Sequence, residues 1–401
     1  MAEMQNPQPV PVRQTVLKLD GRCNIACDYC YVYEMQDTGW QHRKMSMAPE
    51  TIAWAAHRMG EHATAHGLRQ LEFVFHGGEP LLIGAHGIAK AAQLIRRYVP
   101  EDISIKYTMQ TNGILLDRPT LDVLDDHNVH VGVSLDGAEP DNDRHRKYAN
   151  GKGTFQKVAQ GIQLLQTEYS HLFAGLICTV NLENNPKETF HALASFKPPT
   201  IDFLLPHGNW RNPPPGYDPN PQCAETPYAD WLITAFDLSR DKKNYRGYIR
   251  LFDSIIALWE GRQSTTQTFG LGAQVTTVVQ PEGAYELDDK LESAYDGAAA
   301  TGYNVYQHDL DTVLTHPGMR ARQLGLRALS QTCQNCNLVR VCGGGDYVHR
   351  YAEATGFENP SVFCRDNQKL LLHVKEALDA TFEQQKAQAI ARHPFERYYR
   401  L

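Results

Sequence analysis

Seven of the nine cysteines fall into two groups whose spacing suits metal chemistry. Cys23, Cys27 and Cys30 spell C-x3-C-x2-C, and Cys333, Cys336, Cys342 and Cys364 spell C-x2-C-x5-C-x21-C. Thiolates are the ligands of iron–sulfur clusters and of structural zinc. Three thiolates can each hold one iron of a [4Fe–4S] cube, which leaves the fourth iron open to a chelating small molecule. Four thiolates close the cube and leave a cluster fit for carrying electrons. Zinc is the alternative at both places, with a further ligand such as His42 at the first. Cys178 and Cys223 stand alone and read as small structural side chains.

Further polar motifs sit where apolar runs end: Gly77-Gly78-Glu79-Pro80, Thr111-Asn112-Gly113, Ser134-Leu135-Asp136-Gly137 and Asn142-Asp143-Arg144-His145-Arg146. The runs before them read as strands at Leu71–His76, Ser104–Gln110 and His130–Leu135. The first cysteine group follows a similar run at Thr15–Leu19. Phe173–Val180 and Ile201–Leu205 complete six strands. Helical patterns follow them at Pro49–His66, near Gly87–Tyr98, near Pro119–Asp126, near Phe155–Gln166 and near Pro186–Ala194. Six β/α units predict a parallel sheet, doubly wound or barrel-like, with its site at the strand ends that carry the motifs. After Trp210 the pattern changes. Asn212–Pro221 reads as a linker, Tyr228–Arg240 and Tyr245–Glu260 as helices, and Val275–Gln280 with Ala284–Leu287 as a hairpin. Asn367–Lys386 reads as an amphipathic helix.

The chain has 401 residues and a formal net charge of −7, with acids and bases interspersed. No basic stripe suits a phosphate backbone, which argues against nucleic acid as a partner. No apolar run approaches the roughly 20 residues needed to cross a bilayer. Met1–Arg13 is polar, with three prolines, and does not resemble a secretory signal. A cytoplasmic location is therefore expected, where clustered cysteines favour metal over disulfides.

With Tyr29 before its last cysteine, the first group resembles the signature of the radical S-adenosylmethionine (SAM) superfamily. The resemblance implies a partial (β/α)6 barrel. It also implies a cluster on Cys23, Cys27 and Cys30 whose open iron chelates SAM, from which a 5′-deoxyadenosyl radical is made. It brings Tyr29, Gly77, Gly78, Glu79, Asn112, Ser134, Asp136 and Arg146 to the cofactor. Glu79 is expected to face the SAM ammonium, and Ser134 and Arg146 its carboxylate and ribose.

The second group resembles the SPASM extension of radical SAM enzymes that modify peptides. The full pattern has seven cysteines and two auxiliary clusters. Here the hairpin lacks cysteine and the position four after Cys342 is Asp346, so one auxiliary [4Fe–4S] cluster is implied, on Cys333, Cys336, Cys342 and Cys364. Longer strings, among them Ile201–His207, Phe252–Ile256, Cys342–Gly345 and Asn359–Cys364, resemble maturases that form cyclophanes in ribosomally made peptides. That family implies a bond from an aromatic ring carbon to the β-carbon of a residue two further on. It implies a precursor peptide as substrate and an external electron donor of flavodoxin or ferredoxin type, and Asp346 is the candidate base. Thioether crosslinking, formylglycine formation and an inactive zinc-stabilised peptide binder are the competing expectations. The expected division is an extension at 1–13, the barrel at 14–210 and a bridging region at 211–320. The auxiliary domain follows at 321–372, then a helix and tail at 373–401. With about a dozen residues before the first strand, leader binding is expected on the body of the protein, between Trp210 and Arg262.

Overall fold

A computed structural model describes residues 9–218, 220 and 223–392. The first eight residues of the expected extension and the last nine of the expected tail lie outside them.

Six parallel strands form the centre: β1 (Gln14–Asp20), β2 (Gln70–Gly77), β3 (Ser104–Thr111), β4 (Val129–Ser134), β5 (Phe173–Thr179) and β6 (Thr200–Leu204). They neighbour one another in chain order. That order resolves the choice left open above, because a doubly wound sheet reverses its strand order and this one does not. Between the strands run α1 (Pro49–Ala65), α2 (Gly84–Tyr98), α3 (Arg118–Asp126), α4 (Phe155–Thr167) and α5 (Pro186–Ser195). Local chemistry starts them. Pro49 occupies the first turn of α1, Asp117 caps α3 by accepting from Thr120 N, and Asn185 caps α5. Leu17, Phe73, Phe75, Val131, Leu176 and Phe203 are buried along the strands.

Two findings depart from the sequence reading. The stretch expected as one helix from Tyr245 divides into a short edge strand, β7 (Tyr248–Ile249), and a helix, α7 (Arg250–Trp259), which follow α6 (Pro227–Arg240). The hairpin, β8 (Thr276–Val279) and β9 (Ala284–Glu286), also acquires a third strand, β10 (Ala300–Asn304). Strand β8 pairs in parallel with β1, so one ten-stranded sheet runs β10-β9-β8-β1-β2-β3-β4-β5-β6-β7. This pairing brings the hairpin beside the first cysteine group. The final helix, α8 (Cys364–Arg392), packs on α6 and α7. No helix among the described residues is long and apolar enough to cross a membrane.

Candidate functional site

The first cysteine loop leaves β1 and is pinned by a two-strand ribbon. Ala26 and Cys27 pair with Lys147 and Arg146, so Arg146 lies alongside Cys27. Cys30 N donates to Cys27 O at 3.2 Å, and Glu34 N to Cys30 O at 2.9 Å. The three thiols share one electrostatic neighbourhood. Burial pushes Cys27 up to about 12; Arg146 opposes this, and Cys30 and Cys23 add to it. Burial also raises Cys23 and Cys30. Such thiols stay protonated unless a metal charge draws them into the thiolate form.

The motifs converge on this loop. Asn112 Nδ2 approaches Cys23 Sγ at 3.6 Å and donates to Asn24 Oδ1 at 2.7 Å. Tyr29 OH bonds Asp136 Oδ2, and Arg146 Nη1 donates to Tyr29 OH at 2.9 Å. Asp136 Oδ1 accepts from Thr179 N at 2.9 Å. Arg146 is buried and its Nε has no protein partner, which leaves a charged donor for an anionic ligand group. Ser134 Oγ accepts from Gln110 Nε2 at 2.9 Å.

Gly77 and Gly78 are glycines because the cysteine loop lies against their backbone. A Cβ on Gly77 would meet Asp20 O at 2.1 Å, and one on Gly78 would meet Tyr33 Oη at 1.9 Å. Glu79 is held by several protein donors. It is fully buried, and its carboxylate accepts from Leu81 N, Thr111 Oγ1 and Asn112 N at 3.0, 2.7 and 2.8 Å. These bonds tie Glu79 to the turn that carries Asn112.

One group escaped the sequence reading. Asp289 follows the hairpin and reaches the cysteine loop. Its Oδ2 takes Lys18 Nζ at 2.6 Å and Tyr31 OH at 2.6 Å. Despite burial, Lys18 and the nearby His76 hold its carboxyl far below the usual range. His76 is pushed down to about 4 by burial and then by Lys18. Nothing local in Asp288-Asp289-Lys290 marks these residues; the β1–β8 pairing places them. Asp346 is likewise buried, and Lys290 Nζ lies 2.7 Å from its Oδ2. That lysine holds the Asp346 carboxyl well down against the pull of burial.

The second group is built from short helices, Gln331–Gln334 and Val339–Cys342, and from the first residue of α8. Burial raises Cys342 to about 12, with contributions from Cys364, Cys333 and Cys336. Cys364, again chiefly through burial, rises to about 11 beside Cys333 and Cys336. Gly343, Gly344 and Gly345 turn the chain at φ of +62°, +82° and +73°, a region where side chains are strained. Their carbonyls accept from the buried Arg350 guanidinium at 2.7, 3.1 and 2.7 Å. The turn therefore wraps an arginine while it presents Cys342.

A single metal ion draws its ligands close together. Zn–S bonds of about 2.3 Å in a tetrahedron put the sulfurs about 3.8 Å apart. Among the described residues, the one triad of His, Cys, Asp or Glu with ligand atoms mutually within 4.8 Å is His62, His66 and Asp311. His42, the suggested extra zinc ligand, is exposed. The histidine triad is a hydrogen-bonded tie. Val12 N donates to His62 Nε2 at 3.0 Å, so Nδ1 carries the proton and faces Asp311 at 3.0 Å.

Residues 19–196 match the model of the Radical SAM superfamily, so this part of the chain is a radical SAM domain. The cofactors of that domain are SAM and a [4Fe–4S] cluster, and the cysteine loop and Arg146 fit them. The chain is 24% identical over 390 residues to the serine-type anaerobic sulfatase-maturating enzyme of Bacteroides thetaiotaomicron, covering 93% of this chain and 92% of the relative. It is 25% identical to the cysteine-type enzyme of Clostridium novyi, over 85% and 89% of the two chains. Its fold is similar to that of native anSMEcpe with bound AdoMet, at a TM-score of 0.78 and 20% identity, covering 92% and 99%. Streptococcus suis SuiB bound to precursor peptide SuiA is similar at 0.55 and 14%, covering 89% and 76%.

Proposed function

We propose that the protein is a radical SAM maturase that acts on a peptide and closes a cyclophane, joining an aromatic ring carbon to the β-carbon of a nearby residue. The observation that carries this reading is the contrast within the C-terminal region. The four-thiol group is complete, whereas the hairpin has no cysteine and Asp346 is held in an ion pair with Lys290. One auxiliary four-iron cluster on Cys333, Cys336, Cys342 and Cys364 follows from that contrast. Similarity to maturating enzymes and to a protein solved with a precursor peptide supports a peptide substrate.

When bound, SAM at the reduced cluster supplies a 5′-deoxyadenosyl radical that takes a hydrogen from the substrate. Arg146, set by Tyr29 and Asp136, holds the SAM carboxylate, and Asn112 and the Gly77–Gly78 backbone shape the pocket. Ser134 borders it from the end of β4. Crosslinking also releases a proton, and a carboxylate must receive it. Asp346 and Asp289 are both ionised at neutral pH and face the region between the two cysteine groups. An external donor of flavodoxin or ferredoxin type supplies the starting electron.

Similarity to sulfatase-maturating enzymes favours a second reading, oxidation of a serine or cysteine to formylglycine. The reconstituted enzyme, SAM and a reductant are incubated with peptides encoded beside its gene. A crosslink removes two hydrogens, suppresses fragmentation inside the ring and gives no reaction with a hydrazide. Serine oxidation removes the same two hydrogens but leaves an aldehyde that the hydrazide captures, which would replace the cyclophane reading. No modified peptide would end both.

A further inference from the structure

We propose that Tyr31, His207, His349 and Phe363 form a path for single electrons between the two cysteine groups. The proposal rests on the reading that both groups hold four-iron clusters.

The path is continuous in rings. Tyr31 follows Cys30 in the chain, and its ring meets His207 edge-on, with centroids 4.8 Å apart. His207 lies just past the end of β6, at the mouth of the sheet. It faces His349 at 6.5 Å, and His349 meets Phe363 edge-on at 4.9 Å. Phe363 precedes Cys364. Four separate segments of the chain thus contribute one ring each, and the two end rings are covalently next to a cysteine of each group.

Packing alone does not account for these residues. His349 is 3% exposed, and neither of its ring nitrogens has a hydrogen-bond partner. His207 Nδ1 has none either. Each buried, unpaired polar atom carries a desolvation penalty, which leucine would avoid in the same space. Burial presses His349 down to about 3 and lowers His207, so both rings are neutral at working pH. Tyr31 is held in line by its bond to Asp289. Conjugated rings carry tunnelling electrons better than saturated side chains do.

The step balances as one electron. It leaves the reduced C-terminal cluster, which is oxidised, and enters the N-terminal cluster, which is reduced; no proton moves. In peptide modification the same path returns the electron that the substrate radical gives up.

The test needs no peptide. Anaerobic holoenzyme is reduced with titanium(III) citrate, freed of reductant, mixed with excess SAM and frozen at intervals. Paramagnetic resonance follows the reduced C-terminal cluster, and chromatography counts 5′-deoxyadenosine. The N-terminal cluster has one electron for SAM, so a second cleavage must draw on the C-terminal one. We expect His349→Leu and His207→Leu to slow loss of the C-terminal signal and the second cleavage about tenfold, equivalent to about 1.4 kcal/mol in barrier. The first cleavage should stay unchanged, and His349→Phe should restore the rate. If both leucine variants hold the iron of both clusters and decay at the wild-type rate, the path is wrong. If His349→Leu fails to fold, His207→Leu decides. Iron analysis of the wild type tests the underlying reading separately, since a chain with one cluster has no second end for a path.

Discussion

The two cysteine groups use the same ligand in opposite surroundings. The N-terminal three sit at the mouth of a parallel sheet, ringed by Asn112, Tyr29, Asp136 and a buried Arg146 with a free Nε. The C-terminal four sit among short helices, where the strongest charges acting on Cys342 and Cys364 come from the neighbouring thiols. One set has three thiols, with Asn112 and the unpartnered Arg146 Nε beside them. The other has four thiols, and Arg350, beside Cys333 and Cys342, is spent on three carbonyls. On the proposed reading, ligand count and surroundings divide chemistry from electron storage between the two groups.

The largest effect should come from breaking the incomplete set. Cys27→Ala should abolish SAM cleavage and lower iron from about eight to about four per chain. Retained cleavage would show that the radical centre is elsewhere. Cys342→Ala should give the mirror image: the same loss of iron, with uncoupled SAM cleavage intact and crosslinked peptide absent. If product still forms, the C-terminal group is structural and the division above collapses. A smaller effect sharpens the comparison inside the first set. Arg146→Gln removes the charged donor but can keep a bond to Tyr29, so SAM should bind about 10–100-fold more weakly, as loss of a charge-assisted bond worth about 1.5–3 kcal/mol implies. Equilibrium binding checks this, and unchanged affinity would move the SAM carboxylate away from Arg146.

Legibility in the sequence followed the range of the interactions. The six β/α units were readable because strand–helix alternation and start signals such as Pro49 act within a few residues. The cysteine groups were readable because ligand spacing is set along the chain. Strand β10 was not, since Ala300-Thr301-Gly302-Tyr303-Asn304 has a central glycine and little apolar alternation. Strand β7 is only two residues long and has no period to detect. Asp289 was invisible for another reason: its partners Lys18 and Tyr31 lie more than 250 positions away in sequence. Glu79 was found by motif, but its bonds to Leu81, Thr111 and Asn112 were not, because a motif does not report which protein donors a carboxylate already meets.

The smallest effect tests the region between the two groups, where burial keeps His349 near 3 and His76 near 4. In the unfolded chain each would titrate near 6.5. Below that value the unfolded state binds protons that the folded state refuses. Stability therefore falls as pH drops, by about 1.4 kcal/mol per pH unit for each such histidine, until pH reaches the folded value. Above about 7 both states are neutral and the contribution vanishes. Going from pH 6.5 to 5.5, the two together should remove somewhat less than about 3 kcal/mol, because titration of the unfolded chain is incomplete near 6.5. His349→Leu should flatten roughly half of that slope and leave stability at pH 8 equal or higher, since it also deletes two unpaired buried nitrogens. Urea unfolding of the cluster-free protein at both pH values reads this directly. Parallel pH curves for variant and wild type would mean that His349 is solvated or paired in solution, and the neutral, unpartnered ring between the two groups would have to be given up.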